Sequence, residues 1–239
     1  MKTILHKALT RGHASHGWLD SWHTFSFAGY HDPTRVHFGV LRVLNDDTVT
    51  GGMGFGKHPH DNMEIISIPL EGDLEHGDST GTKAVIRQGD VQIMSAGTGI
   101  VHSEKNANAD RPVKFLQIWV FPKEENVTPR YDQKSFSEAD LHNQLRVVVS
   151  PMGESDGVNI NQDAWFSLGK LDAGTSLEYQ VRRNGNGVYA FLLEGDVTIN
   201  DVVLSRRDGL GISDVSTLAL KADTDARLLL MDIPMIDQS

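Results

Sequence analysis

Two histidines separated by one residue, His58 and His60 in GKHPHDNMEI, and a histidine and glutamate at the same spacing, His102 and Glu104 in SAGTGIVHSEKN, are the side chains here best suited to hold a metal ion. In an extended strand, positions i and i+2 project to one face, so each pair presents both side chains together. On inward-turned strands of a small barrel the two pairs would supply three imidazoles and one carboxylate, with Val101, Ser103 and Lys105 directed away. Neutral imidazole and carboxylate suit iron and other first-row divalent ions, and four such ligands leave open positions on an octahedral ion. Open positions separate a catalytic site from a closed structural one. Continuing the alternation past His60 brings Asn62 and Glu64 to the same face, so spacing alone leaves Glu64 and Glu104 as rival carboxylates. Because imidazole must be neutral to ligate, such a site is expected to lose its metal below about pH 6.

The elements that must position these residues read as strands. Short apolar runs such as HFGVLRVL (37–44), MEIISIPL (63–70), VKFLQIWVF (113–121), VYAFLLEGDVTI (188–199) and ARLLLMDI (226–233) are bounded by Gly, Asp and Asn. This is the pattern of a sandwich or barrel. Pro59 fits an edge or the first residues of a strand, where its missing N–H leaves the ladder intact. The one helical signal is SFSEADLHNQL, with Ser135 and Glu138 as a capping box. Leu-Glu-Gly-Asp occurs twice, at 70–73 and 193–196, each time closing an apolar strand, which predicts a repeated hairpin and two related β domains. The boundary is placed near 129–137, giving domains 1–132 and 133–239. All eleven histidines lie in the first 142 residues, so the first domain carries any metal chemistry and the second keeps only the scaffold.

Other chemistries are poorly served. The chain has no cysteine, which excludes disulfides, thiolate catalysis and thiolate metal sites. A net charge of −10 disfavours direct binding to nucleic acid or an anionic membrane surface. The N-terminal stretch has no signal-peptide core and no later run could span a bilayer, so a cytoplasmic location is expected. Gly51, Gly56 and Lys57 mimic a phosphate loop, but His58 stands where Ser or Thr is required, and no helix pattern follows. No G-x-S-x-G elbow occurs. His13, His16, His23, His31 and His37 are irregularly spaced and read as surface or hydrogen-bonded residues, and His76 as a solvated loop residue. Trp18, Trp22, Phe25 and Phe27 read as core, and Met53, Phe55 and Met63 as an apolar lining above a metal.

With these motifs the chain resembles the cupin superfamily and, within it, the pirin family, in the bacterial branch associated with quercetin 2,3-dioxygenase activity. Gly52, His58, His60 and Glu64 meet the first cupin motif, and Gly99, His102 and Asn106 the second. Gly97 stands where the general motif has proline, a departure the pirin form shares, and LDSWHTFSFAGYHDP (19–33) is similar to the N-terminal pirin signature. The resemblance implies an all-β bicupin of two jelly-roll barrels, the second a degenerate cupin without ligands. It implies one divalent ion, usually Fe(II) with Zn, Ni, Co, Mn or Cu also accommodated, on His58, His60, His102 and Glu104, and it favours Glu104 over Glu64. It further implies a dioxygenase cleaving a polyphenol such as the flavonol quercetin with O2 and releasing carbon monoxide, with Glu104 helping as catalytic base. The alternative it carries is a non-enzymatic regulator that binds protein partners, with the metal as redox sensor.

Overall fold

The computed structural model describes residues 1–236. Strands dominate, in two seven-stranded and two four-stranded sheets. One large and one small sheet make each barrel. In the first, the large sheet runs Arg130–Ser135, Asp90–Ser95, Glu64–Glu71, Val113–Val120, Leu41–Val49, Leu19–His23 and Gly12–Ser15. Its small sheet runs Gly54–His60, Ile100–Asn106, Leu74–Asp78 and Lys83–Ile86. The second barrel repeats the plan, with Ser176–Gln180, Thr217–Ala222, Asp196–Ile199 and Val202–Ser205 as its small sheet. This is the all-β bicupin arrangement expected. Among the described residues no helix is long and apolar enough to cross a membrane.

The apolar runs supply two faces at once. Along Glu64–Glu71, Ile66 and Ile68 join Leu116, Ile118, Phe166, Tyr189, Leu229 and Met231 in a core between the two large sheets. Ile65, one residue out of phase, packs with Met94, Ala96 and Ile100 inside the first barrel. Period-two alternation therefore assigns each residue to the barrel interior or to the domain interface.

Three expectations change in detail. The Leu-Glu-Gly-Asp segments are not hairpins. The strands either side of Gly72 and Gly195 lie in different sheets, so each segment is a corner where the chain leaves a large sheet for a small one. Both glycines have positive φ (75° and 82°), and a Cβ on Gly72 would lie 2.8 Å from the Pro112 carbonyl oxygen. The capping box is Ser137 with Asp140, over the helix Glu138–Leu141. Ser135 instead ends a strand and donates to Asp90, and Glu138 pairs with Lys170 and Arg227. The domain line at 132/133 falls inside Arg130–Ser135, which pairs with Asp90–Ser95 of the first barrel, while Lys2–His6 pairs with Gly209–Ser213 of the second.

Candidate metal centre

Gly54–His60 and Ile100–Asn106 are antiparallel neighbours, with His58 opposite His102 and His60 opposite Ile100. That register brings His58, His60 and His102 together, with one ligand nitrogen from each lying within 4.8 Å of the others. The ring centroids are 4.4 Å apart for His58 and His102, and 4.9 Å from His60 to either. His58 Nδ1 donates to the Gly56 carbonyl at 2.8 Å, which fixes the tautomer and leaves Nε2 with its lone pair.

His102 is 1% exposed, and neither of its ring nitrogens has a hydrogen-bond partner; His60 Nε2 is also buried and partnerless. Leaving such groups unsatisfied costs roughly 1–3 kcal/mol each. A divalent ion shared by the three imidazoles would take one nitrogen from each and remove part of that cost, so the donor set fits a metal. Burial, with the neighbouring imidazoles, lowers His102 to about 3, and burial with His58 lowers His60 to about 4. Both stay neutral, the form able to ligate, well below the pH expected from an ordinary histidine.

Glu104 faces inward on the same strand but stands outside this triad. Its Oε1 accepts from Ser67 Oγ at 2.9 Å and its Oε2 from Gln117 Nε2 at 2.5 Å. Burial raises its pKa, with the Ser67 and Gln117 hydrogen bonds opposing. The pairing with Gly54–His60 shifts register between His102 and Glu104, leaving Glu104 opposite Phe55 rather than Gly56. Glu64 is elsewhere. The alternation breaks after His60 at Asn62, whose φ is 44°, and Glu64 shares the face of Ile66, toward the second domain. Its Oε2 accepts from Ser95 Oγ (2.7 Å) and the Asn161 amide (3.1 Å). Of the two carboxylates that spacing left as rivals, Glu64 is thus the one turned away from the three imidazoles.

His76 corrects the solvated-loop expectation. It lies on Leu74–Asp78 opposite Glu104, fully buried, with Nε2 2.8 Å from Asp78 Oδ2 and its ring against Tyr131 and His102. The alternation His76-x-Asp78 was the available signal. Sequence reasoning also passed over Ser67, Gln117 and Trp119, whose ring lies 4.9 Å from His60 and 5.3 Å from Phe27. Of the expected lining, Met63 packs beside Trp119, Phe55 turns against Trp18, and Met53 is 45% exposed. Phe25 is buried in the inter-domain core as expected, while Trp22 stacks on His13.

Two stacked barrels with, among the described residues, one histidine cluster, in the first barrel, define a bicupin with a candidate metal centre. The Pirin family profile matches residues 5–120, and the quercetinase C-terminal cupin domain matches residues 147–233. The chain belongs to the pirin family. It is 44% identical over 232 residues to a quercetin 2,3-dioxygenase of Escherichia coli K12, covering 97% of this chain and 99% of that protein. A pirin-like protein of Caulobacter vibrioides is 38% identical, covering 92% and 95%. The crystal structure of the bacterial pirin YhhW from Escherichia coli in complex with nickel(II) superposes with a TM-score of 0.93 at 42% identity, covering 98% of this chain and all of that one.

Proposed function

We propose that this protein is a cytoplasmic, metal-dependent dioxygenase that opens a flavonol such as quercetin with O2 and releases carbon monoxide. The ion, Fe(II) in this reading, would be held by His58, His60 and His102, with Glu104 as fourth ligand and catalytic base. The single observation carrying the reading is the trio of converging imidazoles, two of which, His60 and His102, have buried nitrogens that no protein group satisfies. When bound, the ion would supply Lewis acidity that lowers the pKa of the flavonol 3-hydroxyl, together with an open coordination position.

The remaining steps fall to the chain. The His58–Gly56 bond keeps Nε2 available. Burial raises the Glu104 pKa in the metal-free protein, which favours it as acceptor of the 3-hydroxyl proton, while coordination to a cation would draw its basicity back down. Ser67 and Gln117 hold that carboxylate in one orientation. Trp119 offers an aromatic wall beside His60 for a planar polyphenol. Relatives covering nearly the whole chain and named quercetin 2,3-dioxygenase support the substrate class.

The test is anaerobic incubation with iron and quercetin, followed by admission of oxygen and gas-phase detection of carbon monoxide. Metal-dependent release that disappears in His102→Ala is the expected result. Protein with full metal occupancy that leaves quercetin intact would overturn the reading and favour a regulator acting through protein partners.

A further inference from the structure

Around the metal centre, four buried nitrogens have no hydrogen-bond partner among the described residues: His60 Nε2, both ring nitrogens of His102, and His76 Nδ1. An ion on the three imidazoles would engage the first and one of the His102 pair. That leaves one nitrogen on His102 and one on His76, each closed to solvent, so water does not serve either. Buried polar atoms left in this way are rare, and each calls for a physical account.

The two leftover atoms are complementary. A neutral imidazole that gives one lone pair to a metal carries its proton on the other nitrogen, so the remaining His102 nitrogen is a donor. His76 is fixed in the opposite sense. Its Nε2 lies 2.8 Å from Asp78 Oδ2, and a carboxylate accepts, so the proton sits on Nε2 and Nδ1 keeps a bare lone pair. Asp78 is itself held, its Oδ1 accepting from the Thr80 amide and hydroxyl (2.9 and 2.6 Å) and the Thr82 amide (3.2 Å). Tyr131 backs the His76 ring at 4.8 Å, and its hydroxyl donates to Gln133 Oε1 at 2.7 Å.

The spacing suits a bond between them. The His102 and His76 ring centroids are 5.5 Å apart, with planes tilted by 49°. An N–H···N bond of about 3 Å between imidazoles places their centroids roughly 5.2 Å apart, because each nitrogen lies about 1.1 Å from its ring centre. The two rings thus already stand near bonding distance.

We infer that, with the metal bound, His102 donates its second ring N–H to His76 Nδ1, completing a line from the ion through His102 and His76 to Asp78. His76 is then a positioning residue: it touches no substrate, and it fixes the ring angle at which His102 meets the ion. The Gly56 carbonyl does this for His58, whereas His102 takes no hydrogen bond from any other described residue. The inference rests on the metal centre proposed above, and on neither its substrate nor its reaction.

NMR of the zinc-loaded protein, with nitrogen-15 in its histidines, tests this. The ring N–H of His102 is expected to show scalar coupling to a second nitrogen, His76 Nδ1, across the hydrogen bond. His76→Phe keeps a ring between Tyr131 and His102 without the acceptor. It should abolish the coupling and weaken zinc binding by about tenfold or more in competition with a chromophoric chelator. His76→Asn, which returns an acceptor close to the Nδ1 position, should recover most of that loss; a purely space-filling role would give the reverse order. A His102 N–H coupled to no other nitrogen in zinc-loaded protein would overturn the inference, even if His76→Phe fails to fold. Zinc affinity unchanged in His76→Phe, or no better in His76→Asn than in His76→Phe, would overturn it too. Zinc binding undiminished in His102→Ala would instead overturn the metal centre itself, and the inference with it.

Discussion

In the first barrel the strand Ile100–Asn106 turns His102 and Glu104 inward, and in the second the corresponding strand Thr217–Ala222 turns Leu218 and Leu220 inward. Pairing registers extend the correspondence. His58 lies opposite His102 as Tyr179 lies opposite Leu218, and His76 opposite Glu104 as Ile199 opposite Leu220. Ser67 faces Gln117 and Gln92 as Ala190 faces Leu230 and Leu210. One shell thus encloses a polar interior in the first barrel and an apolar cluster in the second. The backbone plan is indifferent to the contents. What the first barrel must supply is partners for its buried polar atoms, and where protein groups fall short at the three imidazoles, a metal would serve.

The largest effect that would break this contrast is on metal content. His102→Ala should lose more than nine-tenths of the bound metal by elemental analysis, while Leu218→Ala, at the matching position, should leave it unchanged. Next comes the cost of a carboxylate in the wrong barrel. Leu220→Glu buries an acid with no donors around it and should cost about 4 kcal/mol in urea unfolding, whereas Glu104→Gln, which keeps its Ser67 and Gln117 neighbours, should cost less than about 1 kcal/mol.

Acid should weaken the histidine cluster. The unfolded chain's histidines take up protons below about pH 6.5, but His60 and His102 resist until about 4 and 3 in the fold. Their protonation therefore favours unfolding, and in the metal-free protein these two side chains should contribute a loss of about 3 kcal/mol between pH 7 and pH 4.5, with partly exposed His60 counted lightly. His6, held down to about 4, adds to that loss, and buried Asp47, raised to about 7, opposes it. The loss should shrink in His102→Leu. For the same reason, bound metal should survive pH 5 and leave nearer pH 4, below the pH 6 expected from histidine alone. The smallest effect tests the shared corner. Gly72→Ala and Gly195→Ala should each cost about 1–2 kcal/mol, with Gly195 the more sensitive because its Cβ would press on the Asp225 carbonyl oxygen and the Ala226 Cα.

The triad was legible because His58 and His60, and again His102 and Glu104, obey strand alternation within a few residues of sequence. The all-β class and the duplication were legible through the apolar runs and the recurring Leu-Glu-Gly-Asp. Residues defined by pairing across long sequence distances were not. Ser67 and Gln117 meet Glu104 from Glu64–Glu71 and Val113–Val120, strands of the other sheet, and Arg207 reaches Asp46 across the domain interface. The helix cap was misplaced by two residues because Ser135, a good cap by type, finds Asp90 from a neighbouring strand. Glu64 satisfies the local motif, yet one left-handed residue, Asn62, rotates it to the opposite face.

The strand Lys2–His6 sits at the edge of the far sheet, against Gly209–Ser213. During synthesis this strand has no template until about two hundred further residues have followed it. A pairing between segments so far apart in sequence, with its high contact order, is a natural slow step in folding.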